Sequence, residues 1–110
     1  MTEHEPLKSY LKAWAAQDEM RQAVSATLGA IADSCCAIAE IIALGPLAGK
    51  LGASHGLNVD GDTQFELDMR ANELIIDELI DAPVAYLASE ELELPVPMNQ
   101  GAPLYVAVDP

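Results

Sequence analysis

Basic residues are scarce in this chain. Five Lys and Arg stand against 18 Asp and Glu, giving a formal net charge of −13 over 110 residues. Such a surface repels nucleic acid and anionic membranes, which excludes both as expected partners. It repels an anionic substrate as well, so a phosphate site needs bound cations or basic groups from elsewhere. Cysteine is limited to the adjacent pair Cys35 and Cys36. Neighbouring cysteines cannot staple distant segments, and the pattern fits a reducing compartment. The acidic start, Met1 to Glu5, lacks the basic region and apolar run of a secretory leader. The most apolar stretch, Cys35 to Leu44, contains Glu40 and is too short to span a bilayer. A cytoplasmic location is expected. Also missing are a glycine-rich phosphate loop, zinc-ligand spacing and a nucleophile elbow. His4 and His55 have no partner at metal-ligand spacing and are read as non-functional.

What is present is a globular composition, with 51% hydrophobic residues, enough for one small domain with a modest core. Residues 6–16 read as a short amphipathic helix with Pro6 near its start and Leu7, Tyr10, Leu11 and Trp14 on one face. Residues 18–43 read as a long helix. Val24, Leu28, Ile31, Cys35, Ile38 and Ile42 recur at steps of four and three, a heptad-like seam. Alanines widen this apolar surface, so the helix is expected to be covered on more than one side, with both cysteines as packing residues. An ordinary core helix and a helix awaiting a partner subunit both fit. Residues 45–62 are rich in Gly, Pro, Asn and Asp and read as a loop. Thr63 and Glu66 form a capping-box pattern that starts a helix at about 64–80, and Pro83 stops it. Two strands follow, Val84 to Ala88 and Leu104 to Val108, separated by a proline-rich loop.

Three acidic features stand apart from the general acidity. Asp68 lies within about 60° of Ala71, Ile75 and Leu79 on the helical wheel, a lone carboxylate on the face to be buried. Burying an ionised carboxylate is costly unless it is paired or faces a cation; a rim Asp satisfied by a neighbour is the plainer reading. Glu90 and Glu91 directly follow an apolar strand, and ligand sites in open α/β sheets gather at carboxyl ends of strands. A solvated acidic loop is the plainer reading there. Asp109 is likewise the first polar residue after an apolar strand. If the two strands are parallel neighbours, Glu90 and Asp109 emerge at one edge, and a divalent cation would relieve their repulsion. Carboxylates without His or Cys are hard oxygen ligands, which selects Mg²⁺ or Mn²⁺ over Zn²⁺. Such ions suit hydrolysis of a phosphate ester.

The segments Asn58 to Glu73 (with Leu67-Asp68-Met69-Arg70-Ala71-Asn72-Glu73), Leu87-Ala88-Ser89-Glu90-Glu91 and Val106-Ala107-Val108-Asp109-Pro110 resemble, in this order, the class I fructose-1,6-bisphosphatases. The resemblance covers most of the chain from about residue 20 onward. It implies an α/β fold, the layered αβαβα sugar-phosphatase architecture, of which residues 1–110 would be the N-terminal helices and first two strands. It implies Mg²⁺-dependent hydrolysis of the 1-phosphate of fructose 1,6-bisphosphate, with Mn²⁺ possible, and a homotetramer. By the same resemblance Glu90 and Asp109 are metal ligands, Glu91 helps bind metal or activate water, and Asp68 and Glu73 support the attacking water. The wheel puts Asp68 on the apolar side and Glu73 on the polar one. In the family, Asp-Pro continues into Leu-Asp-Gly-Ser-Ser, which completes the metal site; here the sequence ends at Pro110, so it reads as an incomplete catalytic unit that is inactive alone. Vertebrate members bind the inhibitor AMP near the start of the long helix through a glycine-containing turn. Here Ala16-Gln17-Asp18-Glu19-Met20 lacks the glycines and adds charge at the helix N-terminus, so AMP inhibition is expected to be weak or absent.

Other readings are a sedoheptulose bisphosphatase or inositol monophosphatase of the same superfamily, serving gluconeogenesis or carbon fixation, and a non-catalytic acidic helical interaction module dimerising through the 24–42 seam.

Overall fold

Among the described residues three helices precede a small mixed sheet: α1 (Leu7–Ala15), α2 (Glu19–Leu44), α3 (Val59–Leu79), β1 (Val84–Ser89), β2 (Val96–Pro97) and β3 (Leu104–Val108). The computed structural model describes residues 5–44 and 59–110, with the backbone alone at 59–65. His4, His55 and most of the expected 45–62 loop lie outside the described residues.

Pro6 occupies the N-cap position of α1, where its missing N–H costs nothing. Leu11 and Ala15 are the buried residues of α1, while Leu7 and Tyr10 are exposed. The buried side is therefore turned away from the expected Leu7–Tyr10–Leu11–Trp14 face. Trp14 instead carries the Arg21 guanidinium 5.0 Å from its ring centroid, a cation–π contact across the α1–α2 turn. Within that turn Ala16 has a positive φ of 47°. The Arg21 backbone N–H donates to Asp18 Oδ1 at 2.8 Å, so Asp18 caps α2.

The packed side of α2 is not the expected seam. Leu28, Cys35, Cys36 and Ile42 are exposed, and Thr27, Gly29 and Ser34 are buried. Only Ile31 and Ile38 of the heptad pattern pack on the core. The seam is rotated by roughly a quarter turn toward smaller residues. The Thr27 and Ser34 hydroxyls donate to the Ala23 and Ala30 carbonyls at 2.9 and 3.1 Å. They are satisfied within the helix, need no tertiary partner and let the neighbouring helix approach closely. On another side, Lys8 Nζ lies 3.0 Å from Asp33 Oδ1, tying α1 across α2. By length and composition α2 could cross a membrane, which the interrupted run at 35–44 did not anticipate. In this structure it packs against α1 and α3.

α3 begins at Val59, about a turn before the expected capping box, so Thr63 lies inside the helix. The core is Ile75, Leu79, Ala82, Val84 and Leu87, with Ala30, Ile31, Ile38, Leu104, Val106 and Val108 packed against it. Leu79, Val84 and Leu87 are fully buried.

The sheet order is β2-β1-β3. β1 pairs parallel with β3, as the site argument required, and the proline-rich loop contributes a third strand, β2, antiparallel to β1. Its prolines disguise β2 in the sequence; at a sheet edge Pro97 is tolerated. Asn99 Nδ2 donates to the Ile80 and Ala82 carbonyls at 2.9 and 2.7 Å and so locks the α3–β1 turn. The face of the sheet bearing Val84, Leu87 and Ser89 covers the core. The opposite face shows Tyr86 and Tyr105, packed edge to face at 5.3 Å.

Candidate functional site

Parallel pairing carries Ser89 opposite Val108. The Glu90 N–H then donates to the Val108 carbonyl at 3.1 Å, extending the ladder one residue past β1. Glu90 and Asp109 consequently leave the sheet at the same edge, both exposed. Hydrogen-bonding reach to the Asp109 carboxyl, and then repulsion from its charge, raise the Glu90 pKa above the ordinary carboxylate value, with smaller contributions from desolvation and from the charges of Glu91 and Asp68. Among the described residues no basic side chain is one of the groups acting on Glu90.

Asp68 is half-buried on α3, and its charge reaches Glu90. The four acids at 68, 90, 91 and 109 therefore share one electrostatic environment, although they lie far apart in sequence. Glu73 stays outside it: its Oε2 lies 3.7 Å from Arg70 Nη1 with both side chains exposed, as its place on the polar side of the wheel implied. Among the described residues no group of three or more His, Cys, Asp or Glu is arranged to hold a metal ion. The donor set of the Glu90–Asp109 pair is nonetheless of the right chemistry for a hard divalent ion: oxygen only, anionic and facing solvent. The residues present fit such an ion as part of its ligand set.

Two polar side chains without an assigned role sit buried behind this edge. Asn72 on α3 is 2% exposed and Ser89 at the end of β1 is 7% exposed. The Ser89 hydroxyl donates to Asn72 Oδ1, and its oxygen accepts the Glu91 N–H at 3.2 Å. The Leu92 N–H donates to the Ser89 carbonyl at 3.0 Å, closing a tight turn around Glu90 and Glu91. The sequence did hold a signal for Asn72: it lies four residues, about one helical turn, beyond Asp68, a second polar residue on the apolar arc. Ser89 stands two residues after Leu87 and so points to the same buried face.

No family model matches the chain. Individual curated proteins do. Over 106 residues, 94% of this chain and 32% of the relative, it is 46% identical to the class 1 fructose-1,6-bisphosphatase of Azorhizobium caulinodans. Identity is 44% to a class 1 fructose-1,6-bisphosphatase of Xanthobacter autotrophicus, with all of this chain and 34% of the relative covered. It is also 44% to one from Nitrobacter hamburgensis, with 94% of this chain and 30% of the relative covered. The chain thus spans about a third of the length of the curated relatives it matches. With the order of its acidic motifs and similarity of this extent along nearly its whole length, the chain belongs to the class 1 fructose-1,6-bisphosphatase family.

Proposed function

We propose that the complete protein carrying this chain hydrolyses the 1-phosphate of fructose 1,6-bisphosphate to fructose 6-phosphate and phosphate, and that residues 1–110 are the N-terminal part of its single catalytic unit. The observation that carries the reading is the parallel β1–β3 pairing, which delivers Glu90 and Asp109 to one sheet edge, where the charge of Asp68 is also felt. The printed names of the relatives supply the substrate.

In this reading Glu90 and Asp109 hold Mg²⁺, or Mn²⁺, together with ligands from other parts of the protein. Bound there, the ion offsets the charge of the substrate phosphate and of the carboxylates and lowers the pKa of bound water. Glu91 adds a second carboxylate beside the first. Asp68, half-buried on α3, orients the attacking water and accepts its proton as the water oxygen bonds to phosphorus; the bond from phosphorus to the sugar oxygen breaks, and that oxygen leaves with the electron pair and takes up a proton from solvent. Glu73, exposed and paired with Arg70 at 3.7 Å, acts in this reading through α3 and not on the water directly. With a net charge of −13, this part of the protein offers a bisphosphate little attraction, so bound divalent cations or basic groups from the rest of the protein must supply it.

The layered αβαβα architecture would place further layers on the exposed Tyr86–Tyr105 face of the sheet. Homotetramer formation would cover the apolar side of α2 that carries Leu28, Cys35 and Ile42. A cytoplasmic site of action follows from the substrate class. The decisive experiment is Asp109→Asn in the complete protein. Mg²⁺-dependent phosphate release should fall at least about 100-fold while the oligomer stays intact. Retained activity would remove Asp109 from the site.

A further inference from the structure

We propose that Asn72 and Ser89 form a positioning pair that fixes the Glu90–Glu91 turn against α3, so that Asp68, Glu90 and Asp109 converge before an ion binds. The inference deepens the metal-site reading above and takes one of its readouts from it.

The pair sits where two carboxylate-bearing elements meet. Asn72 lies one helical turn beyond Asp68, and Ser89 immediately precedes Glu90. Both side chains are buried, at 2% and 7% exposure. Apolar residues could fill the same space at the α3–β1 contact, and burying a carboxamide and a hydroxyl without hydrogen bonds is unfavourable. A serine hydroxyl has one donor and two acceptor sites. Ser89 uses the donor on Asn72 Oδ1 and an acceptor on the Glu91 N–H. One oxygen thereby joins helix, strand end and turn. The Glu90 N–H is held separately by the Val108 carbonyl at 3.1 Å, and the turn is closed by the Leu92 N–H on the Ser89 carbonyl. Three successive amides, at 90, 91 and 92, are thus tied down on the rim from which the carboxylates project. Repulsion among those carboxylates works to splay this turn, and the Asn72–Ser89 link opposes it. Groups that orient metal ligands from behind commonly contribute as much to affinity as a weak ligand does.

A purely structural role predicts something different: loss of the pair would lower stability and leave ion binding unchanged. The test uses the complete protein with Asn72→Leu/Ser89→Ala, Ser89→Ala and Ser89→Thr. Replacing both partners by apolar groups orphans neither side chain and frees only the Glu91 N–H at the half-exposed turn, so the double variant should unfold near the wild-type urea midpoint. Two readouts follow. In the metal-free protein, hydrogen exchange at the Glu91 amide should accelerate in Ser89→Ala and in the double variant, and Ser89→Thr should restore protection. With Mn²⁺ alone as the probe, read by its electron-spin resonance signal, the dissociation constant should rise about 10-fold or more, again with rescue by threonine. Unchanged Glu91 exchange in Ser89→Ala overturns the positioning role. So does wild-type Mn²⁺ affinity in a folded double variant. Should the wild-type protein bind no Mn²⁺ at all, the metal-site reading fails on its own account, while the exchange measurement still decides the pair.

Discussion

Ser34→Leu sets the helical pattern against the packing. By heptad logic a leucine on this helix should strengthen a hydrophobic seam. In the structure Ser34 is fully buried, and Ala30, Ile31 and Ile38, its neighbours on α2, pack on the core below α3 and β1. Its hydroxyl is already satisfied by the Ala30 carbonyl at 3.1 Å, so serine is used here for its size. Leucine brings additional carbon atoms into a space with no solvent boundary to yield. Overpacking of that kind costs about 1–3 kcal/mol. In a domain whose whole stability is of the order of 5–15 kcal/mol, that is a large fraction. Ser34→Ala is the control: it removes an intrahelical hydrogen bond, adds helix propensity and should be neutral within about 0.5 kcal/mol. Both variants are compared by urea unfolding of the complete protein, with and without Mg²⁺. Because α3 carries Asp68 and Asn72, displacing it should also raise the Mg²⁺ concentration needed for half-maximal protection. An unfolding midpoint for Ser34→Leu equal to or above wild type would refute the packed side assigned to α2.

Protons should compete with the metal at the Glu90–Asp109 pair. The raised Glu90 pKa means the metal-free folded state holds its proton more tightly than the unfolded chain does. That contribution to stability is complete below the unfolded carboxylate range and is lost as pH rises through the raised value. Mg²⁺ protection should show the opposite trend and weaken on acidification; Glu90→Gln should flatten both slopes relative to wild type, and equal slopes would discount the pair. Ala16 holds a backbone conformation, φ 47° and ψ −117°, that suits glycine, so Ala16→Gly should raise stability by about 1 kcal/mol in thermal unfolding. Asp18→Ala removes the α2 cap and should lower stability by about 0.5–2 kcal/mol. With Asp18 in place, its carboxylate already occupies the Arg21 N–H at the helix end, so AMP should leave the activity of the complete protein unchanged up to millimolar concentration, as an inhibition curve would show.

Local chemistry determined much of this protein from its sequence. Proline and acidic residues mark the turns and helix starts, and apolar runs mark β1 and β3. The order of Asp68, Glu90, Glu91 and Asp109 against those elements pointed to one sheet edge. Those features depend on neighbours along the chain, and a sequence displays them directly. What only the tertiary structure decided depends on neighbours across space. Periodicity offered α2 two adjacent apolar sides, and close packing selected the one with Thr27 and Ser34 because small side chains fit there. The two strands could have paired in either direction; the parallel register of Ser89 with Val108 brought the acids together. Asn72 and Ser89 look like unrelated polar residues until α3 crosses the end of β1, because a hydrogen bond between residues 17 apart exists only once the chain has folded.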